Sequence, residues 1–556
     1  MATGTQDHFR KSIKPYLYGI APTLGGYAFG YDTGSISGIL TMTQFDKYFH
    51  NPSNGLQGGI TASIQAGAFA GSLLTGLLIA DLLGRRKTLI CGSALFTIGI
   101  AISCASNNVV CLIAGRVING MANGCKQPVV SLTELLVIVL GCAMMVPLWQ
   151  SEVTPREIRG RIISLQQCSI NFGILSAFLI QYGCSFINSN AAWRTPLGLQ
   201  MLPTIGLFTM MWFLPESPRW LVQKDREAEA LEVLARVHAE GDQNDEYVLA
   251  EFAEIKEKIN WEREIKKPSY LALLFSPKYM RRTWIGIGAQ FWQQAVGINS
   301  ITYYAPFLFQ QAGVGSTSAS LLANVVDGVI LNVVTFPNMY YLDTWGRRIP
   351  MILGAVGMGI TMLLVGTILK TEGNPHYDPS THKVNFDFTG KPHAGKAVLA
   401  FLYLYVASFA ISWATPAWVV PAEIFPLISR SRCNSMTTAT NWFVNFWFAL
   451  YIPTALNKIS WRLYIMFAGI CFMAAVWVFL LQPETANRSL EEMDDMFAES
   501  RTKWPFLDRD LTRVHPSRDP ERLRRFQKED RMGSVATHRD EEQGEEKEKE
   551  VHLENV

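Results

Sequence analysis

Charge is what this chain has least of. Lys, Arg, Asp and Glu make up 17% of its 556 residues, against roughly 25% in soluble domains. The shortage is concentrated. From Tyr16 to Leu40 the one charged side chain is Asp32, and from Thr283 to Leu369 there are four: Asp327, Asp343, Arg347 and Arg348. By contrast, Lys224–Arg282 and the stretch after Pro483 are dense with charge. That distribution excludes a row of soluble domains and describes a polytopic membrane protein with a soluble middle loop and tail. A net charge of +2 points to no charged partner and to no nucleic acid.

Chemistry-bearing clusters are missing as well. The nine cysteines lie scattered, most of them in apolar runs. None forms a CxxC or metal-like spacing, so they read as small packing residues. No nucleophile–base or metal constellation appears, so the reading is not an enzyme, with no metal and no cofactor. The opening "MATGTQDHFRKSIKP" has no cleavable signal pattern, which leaves the first helix as the membrane signal. The one Asn-x-Ser/Thr sequon, at Asn487, falls in a tail expected to be cytosolic and unglycosylated.

What is present is apolar length. A helical span needs about 20 apolar residues, and candidates lie near 16–40, 58–80, 88–106, 109–147, 162–183, 195–214, 283–311, 319–341, 348–369, 396–421, 433–456 and 462–482. That is an all-α membrane protein of twelve transmembrane helices, with 109–147 too long for one span. Lys/Arg clusters occupy alternate connections, which puts both termini and the middle loop in the cytosol. The expected organisation is a cytosolic N-terminus (1–15), a six-helix half (16–214), a cytosolic helical loop (215–282), a second six-helix half (283–482) and a cytosolic tail (483–556). "REAEALEVLARVHAEGD" and "DEYVLAEFAEIKEKINWEREIKK" carry apolar residues every three to four positions and predict amphipathic helices. After about residue 505 the tail loses that periodicity and reads as disordered.

The halves echo each other. "DLLGRRK" holds Asp81, Arg85 and Arg86, and "DTWGRRI" holds Asp343, Arg347 and Arg348. "SEVTPREIRGR" has Glu152, Arg159 and Arg161, and "AEIFPLISRSR" has Glu423, Arg430 and Arg432. "PESPR" carries Glu216 and "PETANR" carries Glu484. The three signatures recur in order about 265 residues apart. A twofold of six-helix halves is the architecture in which a central site opens alternately to each side. These residues sit at helix ends expected to be cytosolic, where they can cap helices and pair across them. The expectation is a cytosolic gate that holds the halves together when the site faces out.

On these residues the chain resembles the sugar porter family of the major facilitator superfamily, and its fungal members in particular. The motifs are "FGYDTGSISG", "GRR" twice, "GR" at Gly115–Arg116, "VPLWQSE", "PESPRWL", "QQAVGIN", "PAEIFP", "TATNW" and "PET", spread over about residues 16–495. The resemblance implies the major facilitator fold, two pseudo-symmetric six-helix halves, and a plasma-membrane carrier with a central sugar site. Carried over by motif, the sugar ligands are Gln167, Gln293, Gln294, Asn299, Trp418 and Asn441, with Phe29 and Trp442 lining the path. Asn332 is the helix-eight ligand, one residue nearer its GRR turn than the family pattern. "ATPAW" and "PETANRSLEE" also depart from the pattern. Carboxamides supply donors and acceptors together, so a set without charge suits a neutral sugar or polyol. The other expected partners are protons and the lipid bilayer, and the expected state is monomeric.

Asp32 is the costly residue, since a charge inside the bilayer costs on the order of 3 kcal/mol by insertion scales. Arg116 is the expected partner, and in the family these positions couple sugar to protons. Desolvation and the Arg116 charge pull the protonation of such a carboxylate in opposite senses. Proton symport is therefore the expectation. A static ion pair in a facilitative uniporter, or a non-transporting sugar sensor, are the alternatives. Asp327 has no family role.

One segment does not fit. Between Arg116 and Pro147 the chain is about twice as long as the family spacing, and removing Cys125–Leu140, 16 residues, restores "GRVINGMANGGCAMMVPLWQSEV". The segment would bring Glu134 and Pro128 into the membrane. Cys-Lys can be encoded with an internal GTAAG and Leu-Thr with CTGAC, the marks of a donor and a branch site. Cys125–Leu140 is therefore expected to be a translated intron, the rival being a genuine insertion.

Overall fold

The computed structural model describes residues 22–78, 84–124, 149, 153, 156–239, 241–264, 268–314, 316–378, 383–388 and 391–486, with single positions 488, 493, 496, 497, 505 and 512. Within these, the side chains of 73–78, 124, 156–164, 262, 264, 339–344, 377, 378, 383, 385, 427, 428 and 431 are not described. The N-terminus to 15, Asp81, Glu152, Cys125–Leu140 and nearly all of the tail lie outside the described residues.

The first half holds α1 (Thr23–Ile39), a short α2 (Thr43–Tyr48), α3 (Asn54–Leu78), α4 (Arg85–Cys104), α5 (Val109–Gly124), α6 (Arg156–Cys184), α7 (Ala191–Leu199) and α8 (Met201–Phe213). The middle loop holds α9 (Pro218–Gln223), α10 (Glu227–His238), α11 (Glu246–Glu264) and α12 (Tyr270–Phe275). The second half holds α13 (Pro277–Ala295), α14 (Ile298–Gln311), α15 (Thr317–Trp345), α16 (Arg348–Thr371), α17 (Pro392–Ser412), α18 (Pro416–Ile424), α19 (Leu427–Lys458) and α20 (Arg462–Leu481).

Packing repeats between the halves. In the first, α1 lies on α6, α3 on α5, α4 on α5 and α4 on α8; in the second, α13 lies on α19, α15 on α17, α16 on α17 and α16 on α20. These are the same four pairings under a twofold. The halves meet through α3 against α19 and α6 against α15, again an equivalent pair. From the middle loop, Val233 and Val237 of α10 join an apolar cluster that includes Leu89 of α4 and Met211 of α8.

Small residues let these helices approach. Gly30 of α1 faces the Ile170 carbonyl of α6, and a Cβ there would collide with it. Gly120 of α5 meets the Ile64 backbone of α3 in the same way. Without a hydrophobic drive between helices in lipid, such backbone contact is how spans associate.

Three spans are broken where the apolar pattern predicts continuity. Helix six divides at Gln200, between α7 and α8. Helix seven divides at Gly297, which takes a left-handed φ of 97° and starts α14. Helix ten divides before Pro416, where the missing proline N–H ends the hydrogen-bond ladder. The long connection near 370–396 folds into a two-stranded antiparallel hairpin, β1 (Asn374–Asp378) and β2 (Lys383–Asp387). Its Phe386 is buried, and Val384 accepts from Gln311 of α14 and donates to Asn457 of α19.

Candidate sugar site and ion site

The carboxamides of helix seven are brought together by helical spacing. Gln290, Gln293 and Gln294 share one buried face of α13, since positions three and four apart stack. Asn441 of α19 sits against them. Its Nδ2 donates to Gln290 Oε1 at 2.5 Å and to Gln293 Oε1 at 2.8 Å, and its Oδ1 accepts from Gln294 Nε2 at 3.0 Å. Asn299, just past the Gly297 break, donates to Gln294 Oε1 at 2.8 Å. Gln290 Nε2 and Gln293 Nε2 reach back to the Ala417 and Trp413 carbonyls, beside Trp418 on α18. Gln290 is missing from the sequence-derived set, although its spacing from Gln293 and Gln294 places it on their face.

Gln167 and Asn332 bond to a different partner, Asn171 of α6. Gln167 donates to Asn171 Oδ1 at 3.3 Å, and Asn332 donates to the Asn171 carbonyl at 2.9 Å. They meet at the contact of α6 with α15, one from each half. Phe29 of α1 meets Trp442 of α19 edge-on, with centroids 5.7 Å apart, so these two rings also join across the halves. Both rings line a small cavity with Asp32, Gln65, Arg116 and Tyr303.

Asp32 and Arg116 share that cavity, but their expected direct pairing is corrected. Arg116 Nε donates to the Ile60 carbonyl of α3 at 2.9 Å. Asp32, 3% exposed, is held instead by three carboxamides: Asn119 Nδ2 at 3.1 Å, Asn123 Nδ2 at 3.2 Å and Gln200 Nε2 at 2.6 Å. A carboxylate has lone pairs for several donors, and three neutral amides fill them while the buried Arg116 charge stays anchored on α3. At the cavity wall, Tyr303 accepts from Asn445 at 3.2 Å, and its neighbour Tyr304 donates to the Ala449 carbonyl at 2.8 Å.

At the Arg-rich end, the pairs seen join elements within each half. Glu216 accepts from the Arg86 backbone N–H at 2.9 Å, while the Arg86 side chain donates to the Met211 and Trp212 carbonyls. In the second half Glu484 accepts from the Arg347 and Arg348 N–H groups at 2.8 and 3.0 Å, and Arg348 donates to the Gln482 and Phe479 carbonyls. The two GRR turns are thus held alike, each by the glutamate after the sixth helix of its half. Arg347 also pairs with Glu423 at 2.9 Å. Arg430 caps its own turn on the Phe425 carbonyl, and Arg432 reaches Pro268 ahead of α12. Arg85 is buried at the start of α4. The side chains of Arg159, Arg161 and Asp343 are among those not described. Burial pushes the Glu216 carboxyl up from its ordinary value, opposed by the Arg86 and Ser217 N–H donors.

Comparison with known proteins fits this geometry. The family described as "sugar (and other) transporter" matches residues 19–134 and 137–497, with its interruption inside Cys125–Leu140. The MFS glucose transporter mfs1 of Aspergillus flavus is 38% identical over 506 residues, covering 89% of this chain and 91% of that protein. The high-affinity glucose transporter of Kluyveromyces lactis is 35% identical, covering 88% and 86%. Among solved structures, the proton:xylose symporter XylE bound to 6-bromo-6-deoxy-D-glucose superposes with a TM-score of 0.68 at 27% identity, over 87% of this chain and 99% of that one. The chain therefore belongs to the sugar porter family of the major facilitator superfamily, a multi-pass membrane protein of twelve helices in two pseudo-symmetric halves that resembles fungal sugar transporters.

Proposed function

We propose that this protein is a plasma-membrane sugar–proton symporter with both termini in the cytosol, in which Asp32 carries the proton and Arg116 senses its charge. One observation carries the reading. A buried carboxylate shares a cavity with an arginine and with Phe29 and Trp442, which join the two halves. When Asp32 is ionised, Arg116 is drawn toward the cavity it shares with Tyr303; when Asp32 is neutral, that attraction is gone. The sugar is a neutral hexose or pentose held by Gln167, Gln290, Gln293, Gln294, Asn299 and Asn441, with Trp418 covering an apolar ring face and Asn332 at the helix-eight side. Relatives named as glucose transporters and a proton:xylose symporter support the substrate class and the coupling. In each half, the GRR turn and the PES or PET glutamate form a brace that lets the half move as one body.

Purified protein in liposomes tests this. An inward proton gradient should drive glucose or xylose above its equilibrium level. Equilibration without accumulation would make it a uniporter, and no sugar flux at all would make it a sensor.

A further inference from the structure

We propose that Asn119 and Asn123 are positioning residues for the proton on Asp32, forming with Gln200 a carboxamide cradle that holds both protonation states; the inference rests on the symport reading above. Asn119 and Asn123 lie one turn apart on α5 and are 3% and 1% exposed. Both direct an amide N–H at the Asp32 carboxylate, one to each oxygen. Gln200 adds a third donor from the break in helix six. Charged and titratable groups facing Asp32 are Arg116 from α5 and Tyr303 from α14. On α1 itself, the Tyr31 hydroxyl is committed to the Pro196 carbonyl.

The chemistry of the cradle differs from that of an arginine. A guanidinium can only donate, so it can serve the lone pairs a protonated acid keeps but cannot accept its O–H. A carboxamide donates from one end and accepts at the other. Asn119 Oδ1 is buried with no donor, a vacancy that costs free energy while Asp32 is ionised. When a proton arrives from outside, an O–H bond forms on Asp32. The Asn119 amide turns over, its Oδ1 accepts that O–H, and its N–H groups leave the carboxyl. Release of the proton on the other side reverses the turn. No other reactant is consumed. The cradle keeps α1 bound to α5 in both states, so the proton changes what Arg116 experiences without loosening the half.

The test is the external pH of half-maximal sugar accumulation in proteoliposomes, with counterflow at equal pH as the measure of an intact sugar site. Asn119→Leu and Asn123→Leu each remove a charge-assisted donor. The midpoint should move up by about one to two pH units, with counterflow retained. Asp32→Asn is run alongside: if it still accumulates sugar on a pH gradient, the symport reading fails. If it loses accumulation while both Leu variants keep the wild-type midpoint, the cradle alone is overturned. Infrared difference spectra of the wild-type protein, proton-loaded minus unloaded, serve where a Leu variant does not fold. With carboxamide-labelled asparagine, the band removed by Asp32→Asn should be accompanied by a shifted asparagine C=O band. An Asp32 band with no labelled asparagine change overturns the cradle.

Discussion

The face of α13 that presents Gln293 and Gln294 also presents Gln290, whose Oε1 takes the shortest of the three bonds to Asn441. Gln294→Ala removes a donor to Asn441 and an acceptor for Asn299. Losing one well-made hydrogen bond costs about 1 kcal/mol, so the sugar Kd should rise roughly fivefold, read by tryptophan-fluorescence or isothermal titration. Gln290→Leu should do the same, because it removes a sugar-facing carboxamide and the bond that holds Asn441 in place; an unchanged Kd would remove Gln290 from the site. The carboxamide motif "QQAVGIN" was legible in the sequence through the family resemblance, and the shared face of Gln290, Gln293 and Gln294 on α13 came with the structure. The partner of Asp32 was not legible. Sequence shows that Arg116 is the one basic residue near it in kind, but not that the guanidinium is anchored on the Ile60 carbonyl. The spacing of Arg116, Asn119 and Asn123 was the available signal.

Among the elements, the spans followed from apolar length and the breaks did not. Gln200 and the stretch before Pro416 interrupt helices whose apolar runs continue, and the backbone groups freed there are met by neighbours that only the fold supplies. The hairpin was illegible because "NPHYD" carries a proline and no apolar alternation, while "KVNFD" alternates over only five residues and is fixed by the bonds of Val384 to Gln311 and Asn457. Close packing of α1 on α6 makes a direct prediction. Gly30→Val should collide with the Ile170 backbone and destabilise by at least the roughly 1–3 kcal/mol typical of overpacking, seen as a lower midpoint in a detergent thermal scan. Helix α5 raises a different question. Joining Gly124 directly to Gly141 extends it in the family pattern, and the family match breaks between 134 and 137. Sequencing of the cDNA should find a transcript lacking the codons for Cys125–Leu140. A dominant transcript that retains them and yields active carrier would establish a genuine insertion.

For the whole molecule, the twofold was legible in the three repeated signatures, and the structure gives two of them, the GRR turns and the PES and PET glutamates, matching braces. Glu484→Gln should weaken the brace under Arg347 and Arg348, and Glu216→Gln its counterpart under Arg86. Each should slow sugar exchange more than it lowers sugar affinity, because each acts on how a half moves and not on the ligand. A change confined to Kd would argue against that role. The account as a whole turns on Asp32. The most direct measurement is sugar-induced alkalinisation and counterflow, recorded together in proteoliposomes of the wild type and of Asp32→Asn. The account predicts both signals in the wild type, and in the variant counterflow with no alkalinisation and no pH-driven accumulation. Undiminished alkalinisation or accumulation in Asp32→Asn would contradict it.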